Sequence, residues 1–259
     1  MKKYVNLFVF VFMIGACLSQ GRAQTKSAVS YKNPVVDIAM PDPTVIKAAD
    51  GYFYMYATES TRNVPIMKSK DLVQWTYCNT AFTNKTRPRF EPKAGIWAPD
   101  INYINGKYVL YYAMSVWGGE QTCGIGVATA NSPQGPFTDH GKMFRSNEIG
   151  VQNSIDPSLL QYEGRNYLVW GSFRGIYVIE LTADGLSIMS GAKKKRIAGT
   201  AFEAVYIHKH GDYYYMFASI GSCCQGVKST YKVVVGRSKK VWGPYKDKTG
   251  KPMLKNGYS

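Results

Sequence analysis

Residues 39–60 read AMPDPTVIKAADGYFYMYATES. Asp42 stands between two prolines, an apolar run follows, and Gly51 opens a tyrosine-rich stretch. β-Branched and aromatic residues between Gly and Pro punctuation read as strands. A carboxylate at the head of a buried strand is costly unless it is paired, hydrogen-bonded or needed. The phrase then returns. GYFYMYAT from Gly51 is followed by GKYVLYYA from Gly106, GRNYLVWG from Gly164 and GDYYYMFA from Gly211, spaced by 55, 58 and 47 residues. An apolar strand beside an acid precedes each copy: PDPTVI with Asp42, APDINYI with Asp100, IDPSLL with Asp156 and FEAVYI with Glu203.

A period near 50 residues predicts propeller blades, because a four-stranded sheet with its turns consumes about 40 to 50 residues. The four acids precede their glycines by 9, 6, 8 and 8 residues, which puts them at near-equivalent blade positions. In a propeller the first strand of each blade lines the central channel, so four such strands would aim carboxylates into one cavity. A second phrase recurs in the same order as IMKSKDLVQW, VATANSPQGPF and VGRSKKVWGPY, the third unit substituting GIYVIELTADGLSI. Each reads as a strand leading into the outer hairpin of a blade. Helical periodicity is nearly absent, so the fold class is all-β.

The chain has 259 residues, 45% of them hydrophobic, enough for a substantial core. Residues 1–23 have the basic start, short apolar run and small-residue end of a secretory signal peptide, which leaves the propeller domain in 24–259. That predicts a secreted or periplasmic protein, the alternative being a lipoprotein anchored through Cys17. The apolar run is too short to predict a membrane span. Losing residues 1–23 removes Lys2, Lys3 and Arg22 and lowers the formal charge of +15 by three, to +12. For an exported chain, so basic a surface points to an acidic polysaccharide such as pectin rather than nucleic acid. Of the cysteines left after export, Cys78 and Cys123 are a candidate disulfide in an oxidising compartment. The adjacent Cys223 and Cys224 are not expected to bridge each other.

Across NPVVDIAMPDPTVI, WAPDINYINGKYVLYY, SIDPSLL, GSFRGIYVIEL, FEAVYI and GSCCQGVKSTYKVVVGRSKKVWGPY, the chain resembles glycoside hydrolase family 43. Within that family it is most similar to the endo-arabinanase-like members. The resemblance implies a five-bladed β-propeller that cleaves α-1,5-linked arabinan with inversion, as a monomer, with arabinan or pectin side chains as its partner. It implies Asp42 as general base, Glu203 as general acid, and Asp156 as the carboxylate that tunes and orients the acid. Inverting hydrolysis needs an acid and a base about 6.5 to 9.5 Å apart, a separation that opposed strands of one channel supply. A third acid near Glu203 is expected to disfavour its ionisation.

The sequence departs from the family pattern in three places. Pro41 stands where the arabinanases carry His before the base. Val205 stands where they carry Pro after the Ala that follows the acid. About four blades are legible before Ser259, so the expectation is a chain without the family's C-terminal fifth blade, leaving two apolar blade faces without a partner. The family's fifth blade also holds a histidine near a channel metal ion. No cofactor is expected to be required, and a structural calcium in the channel would lack that histidine. The alternatives are an exo-acting arabinofuranosidase or β-xylosidase, and a carbohydrate-binding propeller that keeps the acids without turning over.

Trp97, beside the WAPD motif, and Trp117, in SVWGG, are candidate sugar-stacking side chains, while Asp100 reads as structural. His140, His208 and His210 lack metal-ligand spacing and read as surface loop residues. No G-x-S-x-G offers a serine nucleophile. GIGVAT from Gly124 lacks the helix and third glycine of a dinucleotide loop.

Overall fold

Each repeated glycine marks a hairpin. In the second and third repeats the connection is two residues long, Asn105-Gly106 and Glu163-Gly164, with φ of 48° and 82°, then 49° and 73°. Positive φ at both central residues is the type I′ geometry, whose twist matches that of the flanking strands. Glycine adopts it without a Cβ penalty, which suits Gly106 and Gly164 to the second turn position; Gly51 and Gly211 take a positive φ elsewhere in their own connections, at 84° and 53°.

The computed structural model describes residues 30–258. The expected signal peptide, residues 1–23, and with it Cys17, lies outside the described residues. The compact unit Asn33–Ser259 is built from four antiparallel sheets met in chain order, the arrangement of propeller blades. The first holds β1 (Thr44–Lys47), β2 (Phe53–Tyr56), β3 (Pro65–Ser69) and β4 (Thr76–Thr80). The second holds β5 (Gly95–Ile104), β6 (Lys107–Ser115), β7 (Gly124–Ala130) and β8 (Thr138–Arg145), followed by the single-turn helix α1 (Ser146–Ile149). The third holds β9 (Ser158–Tyr162), β10 (Arg165–Trp170), β11 (Ile176–Glu180) and β12 (Lys195–Ala198). The fourth holds β13 (Glu203–His210), β14 (Tyr213–Ile220) and β15 (Lys232–Ser238). Lys246 extends this last sheet through isolated bridges to Arg237 and Pro252. The repeated aromatic phrases are the second strand of every sheet. The acid-bearing phrases are the first, and β1, β5, β9 and β13 lie side by side in that order.

Successive side chains on a strand point to opposite faces, so each sheet can bury one face on each neighbour. Ile46, Tyr54 and Ile66 of the first blade pack against Leu110 and Tyr112 of the second. Val109, Tyr111 and Ile125 on the second blade's other face meet Leu168 and Trp170 of the third. Val169 and Val178 of the third meet Val205, Ile207 and Met216 of the fourth. Eight of the nine residues of β6 are buried, because both its faces are covered. The fourth sheet's far face instead exposes Tyr206, Phe217, Val233 and Val235, and the first sheet's far face exposes Val45 and Tyr77. Among the described residues no helix is long and apolar enough to cross a membrane.

The cysteines depart from expectation. Cys78, on β4, and Cys123, buried beside Ser146, are both free. Cys223 and Cys224 bridge each other instead, with Cα atoms 3.8 Å apart and Cys224 at φ 67°. The left-handed backbone at Cys224 turns the chain within the β14–β15 loop, so that neighbouring Cβ vectors converge rather than point to opposite sides. The histidines also differ: His140 lies on β8, and His208 and His210 lie on β13, all three exposed strand residues rather than loop residues.

Candidate active site

A single left-handed residue makes a turn just before, or within the first four residues of, the channel strand of every blade. These residues are Asp42 (φ 49°), Ala98 (φ 41°), Asp156 (φ 58°) and Ala204 (φ 50°). The conformation costs an L-residue roughly 1–2 kcal/mol, with Asp among the more tolerant types. Strain of this kind persists where surrounding structure enforces it, and it concentrates at functional sites. It gives the acids a common frame. Asp42 and Asp156 occupy the turn itself, Glu203 stands one residue before it, and Asp100 stands two residues after it. β-Bulges between Trp97 and Asp100 and between Glu203 and Tyr206 accompany the offsets.

Asp42, Asp156 and Glu203 form one electrostatic cluster. Burial raises the pKa of Asp156 well above the ordinary carboxylate range. The negative charges of Glu203 and then Asp42 add to that rise, and a hydrogen bond from the Ala204 N–H opposes it. Its neighbours' charges therefore oppose the ionisation of Asp156, which holds on to a proton that an isolated carboxylic acid would release. Solvent access differs across the trio. Asp42 is exposed, Asp156 is half-buried and Glu203 is buried.

Each outer acid has a hydroxyl partner. Thr58 Oγ1 donates to Asp42 Oδ2 at 2.6 Å and accepts from the Ala98 N–H at 2.7 Å. Ser172 Oγ donates to Glu203 Oε2 at 2.6 Å while accepting from Asn153 Nδ2 at 2.8 Å. The Tyr231 phenol also reaches Glu203 and Ser219. Burial, reinforced by the Glu203 charge, keeps that phenol protonated. None of these partners emerged from reading the sequence. The signal was there: Thr58, Ser115, Ser172 and Ser219 each lie within two residues of the end of a blade's second strand, so hydroxyls recur as regularly as the acids.

Asp100 is drawn into the wall between blades. It accepts hydrogen bonds from the Leu159 N–H (2.7 Å), Asn102 Nδ2 (2.7 Å) and Thr44 Oγ1 (3.4 Å), so one carboxylate ties β1, β5 and β9 together. Trp97 immediately precedes Ala98 and so sits beside the Asp42–Thr58 pair. Its ring meets that of Trp117 edge-on at 6.3 Å, and Trp117 is 80% exposed on the β6–β7 loop. From the same loop, Glu120 pairs with Arg174, two residues beyond Ser172. Two tryptophan faces, a solvent-open carboxylate and a buried one make a site suited to holding a sugar and moving protons on either side of it. Among the described residues no three His, Cys, Asp or Glu side chains form a metal-holding group.

The family model described as Glycosyl hydrolases family 43 matches residues 31–259. The chain is 39% identical over 229 residues to an extracellular endo-α-(1→5)-L-arabinanase of Bacillus subtilis, covering 83% of this chain and 70% of that one. It is 37% identical over 246 residues to an extracellular exo-α-(1→5)-L-arabinofuranosidase of Cellvibrio japonicus, covering 84% and 69%. A solved Cellvibrio cellulosa α-L-arabinanase in complex with arabinohexaose superposes with a TM-score of 0.77 at 33% identity, covering 86% of this chain and 78% of that one.

Proposed function

Because the chain belongs to glycosyl hydrolases family 43, we propose that it hydrolyses α-1,5-linked arabinan, cutting within the chain by a single displacement. The observation that carries this is the coupled trio Asp42, Asp156 and Glu203, delivered by three channel strands and graded from exposed to buried. Glu203 gives its proton to the leaving glycosidic oxygen as the C–O bond breaks. Asp42, open to solvent, takes a proton from the water that attacks the anomeric carbon from the opposite face. Asp156 orients Glu203 and, by raising the cost of full ionisation, helps keep a proton in the cluster. The sugars stack along Trp97 and Trp117. The protein acts as a monomer that requires no cofactor, and it is secreted; its signal-like first 23 residues and relatives named extracellular support the secretion.

Incubation with linear arabinan tests the reading. Endo cleavage yields a ladder of oligomers, and early products release the anomer opposite to the bond cut, visible by proton NMR. A retained anomer would remove the single-displacement mechanism. The exo reading rests on the likeness to the Cellvibrio japonicus enzyme, and free arabinose as the sole early product would favour it.

Ser172 supplies a further check on the acid's placement. A hydrogen bond to a charged group contributes about 1.5–3 kcal/mol, so Ser172→Ala should lower kcat on arabinan by roughly 10- to 100-fold. An aryl arabinoside with a good leaving group needs little protonation and should lose much less. An equal loss on both substrates would mean that Ser172 does not act through Glu203.

A further inference from the structure

At the junction of the first two blades lies a second cavity, of about 390 Å³, whose rim carries Arg62, Arg89 and Lys93. Its wall is an ion-pair network. Glu59 receives both terminal nitrogens of Arg87 and the backbone N–H groups of Asn63 and Ile96. Burial alone would raise the Glu59 pKa, but these partners hold it below the usual carboxylate range. Glu91, also lining the cavity, is paired with Arg145 and accepts from Thr122 Oγ1. Both nearby acids are thus already neutralised. Arg62 donates to the side-chain oxygen of Asn84 and Arg89 to its backbone oxygen, both at 3.1 Å. Among the described residues, none of Arg62, Arg89 and Lys93 has a carboxylate partner.

Three uncompensated cations around a concave site call for an anion. Pro88, Pro92 and Met114 add an apolar floor suited to the C–H face of a ring, and the volume lies within the range that holds a small ligand. The location ties the cavity to the acids, because Glu59 follows Thr58, whose hydroxyl holds Asp42. Neutral arabinose makes no use of net charge. We propose that the Arg62–Arg89–Lys93 cavity is a second sugar site, binding a uronate unit of an acidic polysaccharide to which the arabinan is attached. The inference rests on the arabinan reading above. It gives the strongly basic chain a local anionic partner, and Arg is well suited to bidentate carboxylate recognition.

The test compares wild type with an Arg62→Ser, Arg89→Ser, Lys93→Ser triple variant. All three side chains are exposed, so folding should survive, as thermal unfolding would confirm. A control variant, Lys193→Ser, Lys195→Ser, Lys248→Ser, removes the same charge elsewhere. Oligogalacturonate binding is measured by calorimetry at low and moderate salt, beside hydrolysis of neutral linear arabinan. Wild type and control should bind, the cavity variant should lose at least tenfold in affinity, and all three should hydrolyse linear arabinan within twofold of one another. The site is overturned if the cavity variant binds like wild type, or if the control loses as much. It is also overturned if inorganic phosphate at equal ionic strength, or single-stranded DNA, binds as tightly with the same dependence on the cavity. A cavity variant that loses hydrolysis of neutral arabinan would place the cavity in the cleavage groove, against the proposal. Wild type that binds oligogalacturonate but leaves arabinan intact would sink the arabinan reading while leaving the uronate site standing.

Discussion

Glu203→Ala is expected to lower turnover of linear arabinan by about 10³- to 10⁴-fold, and Asp42→Ala by a similar factor, the upper part of the range for positioned acid–base groups. The two losses should separate on an aryl arabinoside with a good leaving group. Such a substrate departs with little protonation, so it no longer needs the buried acid whose Oε2 is held by Ser172. It still needs a water deprotonated on the opposite face by the exposed Asp42. The Glu203 variant should therefore recover much of its rate and the Asp42 variant should not. Recovery by both, or by Asp42→Ala alone, would reverse or remove the assignment. Asp156→Asn should lower activity less steeply and displace a limb of the pH–rate profile, since its charge acts on the cluster rather than on the substrate. Initial rates across pH on both substrates measure all three, with circular dichroism confirming that each variant is folded.

How the sequence announced this site depended on what repeats. The glycine turns and aromatic second strands recur because every blade needs the same hairpin, and that need leaves a period near 50 residues. The channel acids were legible for the same reason, as Asp42 and Asp156 each sit in an Asp-Pro turn of one backbone shape. Reading the four acids as equivalent went too far. Glu203 and Asp100 lie at bulges, and a one- or two-residue shift sends one side chain into the cluster and the other into the wall. Sequence spacing does not reveal such a shift, because a bulge leaves no strong residue signature. The hydroxyl partners Thr58 and Ser172 went unread because each contacts an acid 16 or 31 residues away, across a blade or between blades. The bridge between Cys223 and Cys224 was misjudged for a related reason, since it depends on one left-handed φ within a loop.

Asp100 offers the largest expected effect on stability, and its sign varies with pH. Burial raises its pKa from 3.8 to about 6, despite hydrogen bonds from Leu159, Asn102 and Thr44 that favour the charged form. A folded-state pKa above the unfolded one means that the folded protein binds the proton more tightly. Asp100 therefore contributes full stability below about pH 4, and that contribution fades as pH rises through 6. A rise of this size corresponds to about 3 kcal/mol lost by pH 7, because each tenfold change in proton affinity is worth roughly 1.4 kcal/mol. Asp100→Asn should remove the slope. Its amide oxygen can accept from Leu159 and Asn102, where Asp100 Oδ2 now does, and its NH₂ can donate to Thr44 Oγ1. The Asn variant should thus be more stable than wild type at pH 7 and no more stable at pH 4. Asp100→Ala should be less stable at acid pH by about 2–4 kcal/mol, because the Leu159 N–H and the Asn102 amide lose their shared acceptor within the wall. Urea unfolding of the three proteins at pH 4, 5, 6 and 7 reads the difference directly. Other shifted carboxylates, Asp156 and Glu59 among them, contribute equally to all three and cancel. An Asn variant that kept the wild-type slope would mean that Asp100 is charged throughout this range, and that the clamp between β1, β5 and β9 is ionic in both acid and neutral solution.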